Sequence, residues 1–174
     1  MSLMIATVLI LVLAWVLMMH VGTAREMSVP PEQGGPATEP APDIEKLVLT
    51  DDEWRARLTP QQYRILRGAG TEMCGTSPFN DEKREGTFHC AGCDLPLFQS
   101  TTKFQSGTGW PSFYRPTVPG HVLGKEDRSH GMVRVEVTCA RCDGHLGHVF
   151  ADGPKPTGLR YCINGEAMKF VPAG

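Results

Sequence analysis

The stretch Met132-Val133-Arg134-Val135-Glu136-Val137, followed closely by Cys139-Ala140-Arg141-Cys142, decides the fold of this chain. Apolar and polar side chains alternate along its first part, which is typical of a β-strand with one buried and one polar face. The Cys-x-x-Cys that follows places two sulfurs on one tight turn, where both can reach one metal ion. A second pair, Cys90-Ala91-Gly92-Cys93, lies upstream with 45 residues between the pairs. These patterns predict short strands clamped together by a metal.

The two pairs together supply four thiolates, the donor set of many structural zinc sites. Four protein ligands leave no coordination position open, so we expect one structural Zn²⁺ that clamps two hairpins. The alternative is two redox pairs, because oxidising compartments favour disulfides. Neither pair is followed by a convincing amphipathic helix, as a thioredoxin-like redox pair would be, and this favours metal. The predicted ligands are Cys90, Cys93, Cys139 and Cys142.

The rest of the chain also favours short segments, since 19 glycines and 14 prolines punctuate it. Capping-box patterns that begin at Thr50 and Thr59 predict two short helices ahead of the strands. We therefore expect a mainly β domain with short N-terminal helices. The predicted strands run from Gly86 to Cys90, Leu97 to Phe104, Met132 to Thr138, His148 to Phe150, Arg160 to Ile163 and Met168 to Val171.

The N-terminal segment differs in composition from the rest. Leu3 to Met19 is an apolar run with one polar interruption, slightly shorter than the roughly 20 residues of a spanning helix. Because Gly22-Thr23-Ala24 could be a cleavage site, residues 1–24 are interpreted as a membrane anchor or a signal peptide, with a buried core helix as the third alternative. Residues 25–43 hold five prolines and are predicted to be a linker, and residues 44–174 the catalytic domain. We expect the domain outside the cytoplasm, in the periplasm or cell envelope.

The charge balance excludes one class of partner. Seventeen Lys and Arg against nineteen Asp and Glu give a net charge of −2, without a basic block. Nucleic acid binding is therefore not expected. One catalytic domain of this length can bury a core, and we expect a monomer.

Cys162 stands apart from the cysteine pairs, in Arg160-Tyr161-Cys162-Ile163-Asn164. A thiol reacts as thiolate, and a neighbouring Arg or protonated His lowers its pKa toward that form. His145 and His148 lie nearby in a Gly-flanked segment, which indicates an acid/base role. Zinc ligation by these histidines is the rival interpretation, although four thiolates already saturate one ion. Trp110 lies within the glycine-rich string Ser106 to Phe113 and is expected either to pack in the core or to form an aromatic wall for a small apolar group.

Taken together, these motifs resemble the methionine-R-sulfoxide reductases of the B type from about Leu47 to Val171. The resemblance implies two antiparallel sheets in a tent-like arrangement preceded by short helices. It rests on Trp54-Arg55 through Pro60, the two cysteine pairs, Lys103 through Phe113, Ser129-His130-Gly131-Met132, Gly144 through Phe150, Asp152-Gly153-Pro154 and Arg160 through Asn164.

The resemblance also implies roles. Cys162 would attack the sulfoxide sulfur of an oxidised methionine in a peptide or protein and become a sulfenic acid. His145 and His148 would orient the sulfoxide oxygen and donate the proton that lets it leave. Trp110 would receive the substrate's methyl group, and an apolar pocket opposite a polar oxygen site selects one epimer. The remaining polar residues, Asn164, Asp152 and Arg160, would shape the polar side of the site and support the thiolate.

The sequence departs from the commonest family pattern at Thr108, where many members carry the cysteine that resolves the sulfenic acid. Cys74 is the remaining thiol outside the metal ligands. We predict that Cys74 forms a disulfide with Cys162, which a thioredoxin-like reductant then reduces. Because Cys74 lies in a loop, that loop is expected to move. In the alternative, Cys74 is inert and an external thiol reduces the sulfenic acid.

Two other classes of function stay open at this stage. A zinc-ribbon-like binding module would use the cysteine pairs to display a loop, but it leaves Cys162, His145 and His148 without a role. A thiol oxidoreductase acting on disulfides would need one metal-free pair, which a metal content near one equivalent with four unreactive thiols would exclude.

Overall fold

The computed structural model describes residues 33–174. The predicted anchor or signal peptide, residues 1–24, and the first part of the predicted linker lie outside the described residues. Within the part that is described, no helix has the length and apolar character needed to cross a membrane.

Two short helices open the domain, as predicted. Helix α1 is Asp51–Arg57 and helix α2 is Pro60–Leu66. Thr50 and Thr59 each accept a hydrogen bond from the main-chain N–H three residues on, and the side chain at that position accepts one from the main-chain N–H of the threonine, so both capping boxes are present. These caps satisfy N–H groups that a helix N-terminus otherwise leaves without partners.

Within residues 33–174, nine strands form two antiparallel sheets, which confirms the predicted fold class. The three-stranded sheet has the order β2-β1-β9, and the six-stranded sheet the order β3-β4-β8-β7-β6-β5. The strands are β1 Gly86–Cys90, β2 Pro96–Gln99, β3 Lys103–Phe104, β4 Ser112–Phe113, β5 Val122–Asp127, β6 Arg134–Cys139, β7 His145–Phe150, β8 Arg160–Ile163 and β9 Met168–Pro172.

The strand boundaries differ from the prediction in several places. Strand β6 begins at Arg134, two residues after the predicted start at Met132. The predicted strand Leu97 to Phe104 is interrupted by a 3₁₀ turn at Ser100–Thr102, where the Ser100 hydroxyl accepts a hydrogen bond from Gly86. Strand β7 begins at His145, three residues before the predicted start. Strands β4 and β5 were not predicted, because β4 has two residues and β5 contains Gly, Lys, Glu and Asp, which are poor strand formers.

The core lies on the apolar face of the six-stranded sheet. Phe98 stacks on Phe113 at a ring-centroid distance of 4.5 Å, and Phe88 meets Phe113 edge-on at 5.0 Å. The alternation predicted for β6 is present, since Val137 is fully buried on this face. The opposite face of the same strands therefore carries the polar side chains.

Residues 34–41, here called the strap, lie against the sheet although they fall in the predicted linker. Ala37 forms a parallel bridge with Leu123 of the edge strand β5, and the Gly124 N–H donates to the Ala37 carbonyl at 2.8 Å. The buried Tyr161 hydroxyl donates to the Gly34 carbonyl at 2.7 Å. The strap is held mainly by main-chain hydrogen bonds. A segment held in this way needs few large apolar side chains, so its composition did not indicate that it lies against the sheet.

Candidate active site and metal centre

Strand pairing places two of the predicted site residues, Cys162 and His148, in one row across the six-stranded sheet. Cys162 on β8 lies opposite Ser112 on β4 and opposite His148 on β7, and His148 lies opposite Glu136 on β6. Residues directly opposite each other in antiparallel strands share a face and hold their Cβ atoms close together. The register alone therefore places the predicted nucleophile beside the predicted acid.

Cys162 is half-buried and lies beside the glycine-rich loop before β4. Its Sγ is 3.9 Å from the Thr108 hydroxyl, which in turn is 2.8 Å from Ser106 Oγ. Burial raises the pKa of Cys162 above its ordinary value, while the Thr108 hydrogen bond and the Arg160 charge lower it in part. The expectation of a lowered Cys162 pKa is therefore wrong in its net direction, because loss of hydration outweighs the nearby cation.

Arg160 is held by Asp152 in a two-point ion pair. Its Nε and Nη2 each lie 2.9 Å from a carboxylate oxygen of Asp152, and its guanidinium lies over the Phe150 ring at 4.5 Å. Arg160 favours the Cys162 thiolate, whereas the Asp152 charge opposes it and raises the pKa of Cys162. Asp152 thus supports the thiolate only by fixing Arg160 in place.

Each histidine of the site is bonded to a carboxylate. His145 Nδ1 is 2.8 Å from Glu136 Oε1, and His148 Nε2 is 2.8 Å from Asp127 Oδ2. The two ring centroids are 5.5 Å apart. The carboxylates engage opposite ring nitrogens, so Nε2 of His145 and Nδ1 of His148 are the nitrogens not bonded to them. Burial lowers the pKa of His148 below its ordinary value of 6.5, and the bond to Asp127 opposes that shift.

Glu136 and Asp127 were not among the predicted site residues. Asp127 is itself fixed, accepting from the Ser129 main-chain N–H at 2.8 Å and from Arg134 at 2.6 Å. The hydrogen bonds from Ser129 contribute most to holding the pKa of Asp127 well below its usual range. The sequence could have predicted the position of Glu136, because the alternation around Val135 places Glu136 on the polar face of its strand.

Cys74 is exposed and contacts the same residue as Cys162. Its Sγ lies 3.4 Å from the Thr108 carbonyl oxygen, and the Gly75 N–H donates to the Gly109 carbonyl at 2.9 Å. A Cβ on Gly109, which has a φ of +88°, would lie 2.3 Å from Cys74 Sγ, so this close approach requires glycine. Thr108 therefore contacts both thiols, Cys162 through its hydroxyl and Cys74 through its carbonyl oxygen.

Asn164 and Trp110 occupy different kinds of position. Asn164 is buried, and its side chain accepts from the Glu72 N–H at 2.9 Å and donates to the Leu146 carbonyl at 3.1 Å. Both ends of its amide are thus engaged by the main chain. Trp110 is half-buried and precedes Pro111, whose carbonyl accepts a hydrogen bond from the N–H of Ile163, the residue after Cys162. The indole N–H of Trp110 is buried and has no acceptor among residues 33–174.

The four cysteines of the two pairs form a separate buried cluster. All four sulfurs lie within 4.8 Å of one another, with Cys90 and Cys142 at 3.7 Å and Cys93 and Cys139 at 3.5 Å. A Zn–S bond of about 2.3 Å in a tetrahedron requires sulfurs about 3.8 Å apart, which this cluster fits. Cys90 ends a strand of one sheet and Cys139 ends a strand of the other, so the cluster joins the two sheets.

The helices are attached to this cluster through arginine. Arg57 donates to the Gly92 carbonyl at 2.6 Å, and Arg67 donates to the Cys142 carbonyl at 2.7 Å. Both carbonyls belong to the cysteine turns. A metal bound there would hold the two sheets directly and the helices through these bonds.

The two-sheet β fold carries a half-buried cysteine opposite a histidine and a separate four-cysteine cluster, an arrangement suited to thiol-based redox chemistry. Comparison with known proteins gives the family. The SelR domain model matches residues 58–172. The peptide methionine sulfoxide reductase MsrB of Pseudomonas putida (strain W619) is 58% identical over 129 residues, which are 74% of this chain and 97% of that protein.

Relatives in other bacteria agree with this match. The peptide methionine sulfoxide reductase MsrB of Agrobacterium fabrum is 56% identical over 127 residues, 73% of this chain and 94% of its own length. That of Leptospira interrogans is 55% identical over 121 residues, 70% of this chain and 92% of its own length. The chain therefore belongs to the MsrB family of peptide methionine sulfoxide reductases, which confirms the resemblance and places it among the oxidoreductases.

Proposed function

We propose that this domain reduces the R epimer of methionine sulfoxide in peptides and proteins, with Cys162 as the nucleophile. The observation that carries the proposal is the row across the sheet, in which Cys162 faces His148 on one side and Ser112 on the other. A half-buried thiol flanked by a hydrogen-bonded imidazole has the nucleophile and the acid that a sulfoxide needs.

In the first step the sulfur of Cys162 attacks the sulfoxide sulfur. The sulfoxide oxygen is a poor leaving group until it is protonated, and His145 and His148 orient it and supply the proton. The oxygen is transferred to Cys162, so methionine is released and Cys162 becomes a sulfenic acid. Glu136 and Asp127 hold the imidazole rings in fixed orientations for this step.

Epimer preference depends on two sides of the site that differ in polarity. Trp110 offers an apolar face to the substrate's methyl group, while the histidines and Arg160 lie on the polar side with the oxygen. A sulfoxide of the opposite configuration would exchange methyl and oxygen, leaving a polar group against the indole.

The sulfenic acid is resolved by Cys74. The Cys74 sulfur attacks the Cys162 sulfur, the S–O bond breaks as the S–S bond forms, and the hydroxyl leaves as water with the Cys74 proton. A thioredoxin-like dithiol then supplies the two electrons that reduce the disulfide. The contact of both thiols with Thr108 supports this assignment, and Cys74 must move past Thr108 to bond with Cys162.

The metal of the four-cysteine cluster is zinc in this proposal. Cys90, Cys93, Cys139 and Cys142 would hold it, and bound Zn²⁺ would supply a closed tetrahedral crosslink rather than an open coordination position. The reacting residues lie outside this ligand set.

Residues 1–24 carry the domain out of the cytoplasm and retain it at the membrane when they are not cleaved. The apolar run at Leu3 to Met19 supports this part of the proposal. Fractionation of cells that produce the full chain tests it, since a cytoplasmic pool of intact protein would contradict export.

The activity is tested with the two epimers of a peptide methionine sulfoxide and the full-length protein, with dithiothreitol as reductant. We expect turnover of the R epimer alone, abolished by Cys162→Ser and retained by Cys74→Ser, because dithiothreitol can reduce the sulfenic acid directly. With a thioredoxin-type donor, Cys74→Ser should lose turnover. No reduction by a protein with a filled metal site would instead favour the binding-module alternative.

A further inference from the structure

Glu72 is a buried carboxylate that ties the segment of Cys74 to the segment of Cys162. Its side chain accepts from the Gly165 N–H at 2.7 Å and from the Glu166 N–H at 3.0 Å. Its own main-chain N–H donates to Asn164 Oδ1 at 2.9 Å. These three hydrogen bonds, here called the Glu72 clasp, start two residues before Cys74 and end just after Cys162.

Burying the Glu72 carboxylate in the clasp is unfavourable in free energy, which indicates that the clasp has a role besides packing. Glu72 is 4% exposed, and burial raises its pKa, while the bonds from Gly165 and Glu166 lower it in part. Its partners among the described residues are main-chain N–H groups rather than a basic side chain. Burying a carboxylate that is not paired with a cation costs free energy that neutral groups of the same shape would not cost.

A second anchor lies on the other side of Cys74. Ser77 is buried against Gly165, where an added Cβ would lie 2.0 Å from the Ser77 hydroxyl. The Ser77 hydroxyl also accepts from the Phe79 N–H at 3.2 Å. The loop is therefore fixed at Glu72 and Ser77, on the same 3₁₀ turn that follows Cys162.

The tip between these anchors is exposed. Met73 is 74% exposed, and Cys74 to Thr76 are exposed as well. The contacts of this tip with the neighbouring loop are the Gly75 to Gly109 hydrogen bond and the weak Cys74 to Thr108 contact. Breaking these two contacts frees the tip while both ends stay attached beside Cys162.

We propose that Glu72 is a positioning residue for the resolving step, since its clasp is the fixed end from which the tip carries Cys74 to the Cys162 sulfenic acid. This inference rests on the proposed role of Cys74. With the end fixed, the Cys74 sulfur searches a small volume near Cys162, which raises its effective concentration for disulfide formation. The first step, oxygen transfer to Cys162, does not require movement of the tip.

Glu72→Gln tests the proposal because it keeps the shape of the side chain and replaces one acceptor oxygen by an N–H₂ group that faces an N–H donor. The matched control is Glu166→Gln, which removes a neighbouring carboxylate but keeps the main-chain N–H of the clasp. Glu72→Asp keeps both oxygens on a shorter side chain, and we expect it to give an intermediate rate.

The experiment is a single turnover of the full chain with excess peptide methionine-R-sulfoxide and no reductant, quenched at intervals. Methionine formed reports the first step, and loss of the Cys74 thiol as disulfide reports resolution. We expect Glu72→Gln to slow disulfide formation about tenfold, from the lost charged hydrogen bond, while methionine formation changes less than about threefold. Glu166→Gln should match the parent protein in both steps.

The outcomes separate this inference from the function on which it rests. If Glu72→Gln slows both steps equally, or neither, the positioning role is wrong and the clasp is only part of the fold. If Cys74→Ser is still recycled normally by a thioredoxin-type donor, the resolving role of Cys74 fails, and the inference fails with it. If Glu72→Gln does not fold, the same ratio of the two rates in Glu72→Asp decides the matter.

Discussion

The two thiol regions of this molecule contain the same chemical group in opposite settings. In the four-cysteine cluster, every sulfur lies within 4.8 Å of three others and all four residues are buried. Cys162 is half-buried, and its Sγ lies 3.9 Å from a hydroxyl rather than beside another thiol. Four converging sulfurs have the arrangement that can hold one metal ion, whereas a single thiol stays available to a substrate. The neighbours of a cysteine, more than the cysteine itself, decide its chemistry.

The largest expected effect is the loss of a cluster cysteine. Cys90→Ser should release the metal and unfold the junction of the two sheets, because structural zinc contributes roughly 10 kcal/mol or more to folding. Cys162→Ser should leave metal content unchanged and alter the free energy of unfolding by about 1 kcal/mol or less, while abolishing turnover. Metal analysis and thermal melting of the two variants measure the contrast. A Cys90→Ser protein that melts like its parent would show that the cluster is not structural.

The strap gives a smaller effect. A chain that begins at Ile44 should be less stable than one that begins at Gln33, because the buried Tyr161 hydroxyl loses its Gly34 acceptor at a cost of about 1–3 kcal/mol. The edge of β5 is uncovered as well. Denaturant unfolding measures the difference.

Tyr161→Phe provides the control for the strap, since it removes the hydroxyl from both chains. We expect the substitution to destabilise the longer chain, and to stabilise the shorter one, because there it removes a hydroxyl that has lost its acceptor. Equal effects in the two chains would show that Gly34 does not satisfy Tyr161.

The sequence predicts the fold better than the contacts of the site. Capping boxes at Thr50 and Thr59, the alternation around Val135 and the cysteine spacing are local patterns, and the structure bears them out. Strand β5 and the strap were missed because pairing with β6 and main-chain hydrogen bonds create them, and neither leaves a local apolar pattern.

The pKa of Cys162 shows the same limit. The sequence places Arg160 two residues away, which predicts a lower pKa, but it does not report how much water the fold removes from the thiol. Likewise, the pairing of His145 with Glu136 depends on strand register, which no single segment specifies. Cys162, His145 and His148 were named from the sequence, whereas their partners Glu136 and Asp127, and the electrostatics of the site, required the three-dimensional arrangement.

The smallest predicted effect concerns pH. A reaction that needs the Cys162 thiolate and a protonated His148 has a rate proportional to the product of the two fractions. Burial moves the pKa of His148 below 6.5 and the pKa of Cys162 above 9.0. Between the pKa of His148 and the pKa of Cys162, the thiolate fraction therefore rises with pH as fast as the imidazolium fraction falls. We therefore expect kcat/KM to be flat across that interval, to fall below it as the thiolate is protonated, and to fall above it as the imidazolium is lost.

Arg160→Met sharpens this test. Removing the guanidinium raises the pKa of Cys162 further, so the plateau should be lower by a factor of roughly 2 to 5, since the scarcer thiolate is also the more nucleophilic one. Arg160→Lys keeps a positive charge, so its plateau value of kcat/KM should lie between those of the parent protein and Arg160→Met. The upper limb should move to higher pH in Arg160→Met while the lower limb, set by His148, stays in place. A profile in which the lower limb moves instead would assign the thiolate ionisation to that limb, and Cys162 would then have a lowered pKa when the protein is at work.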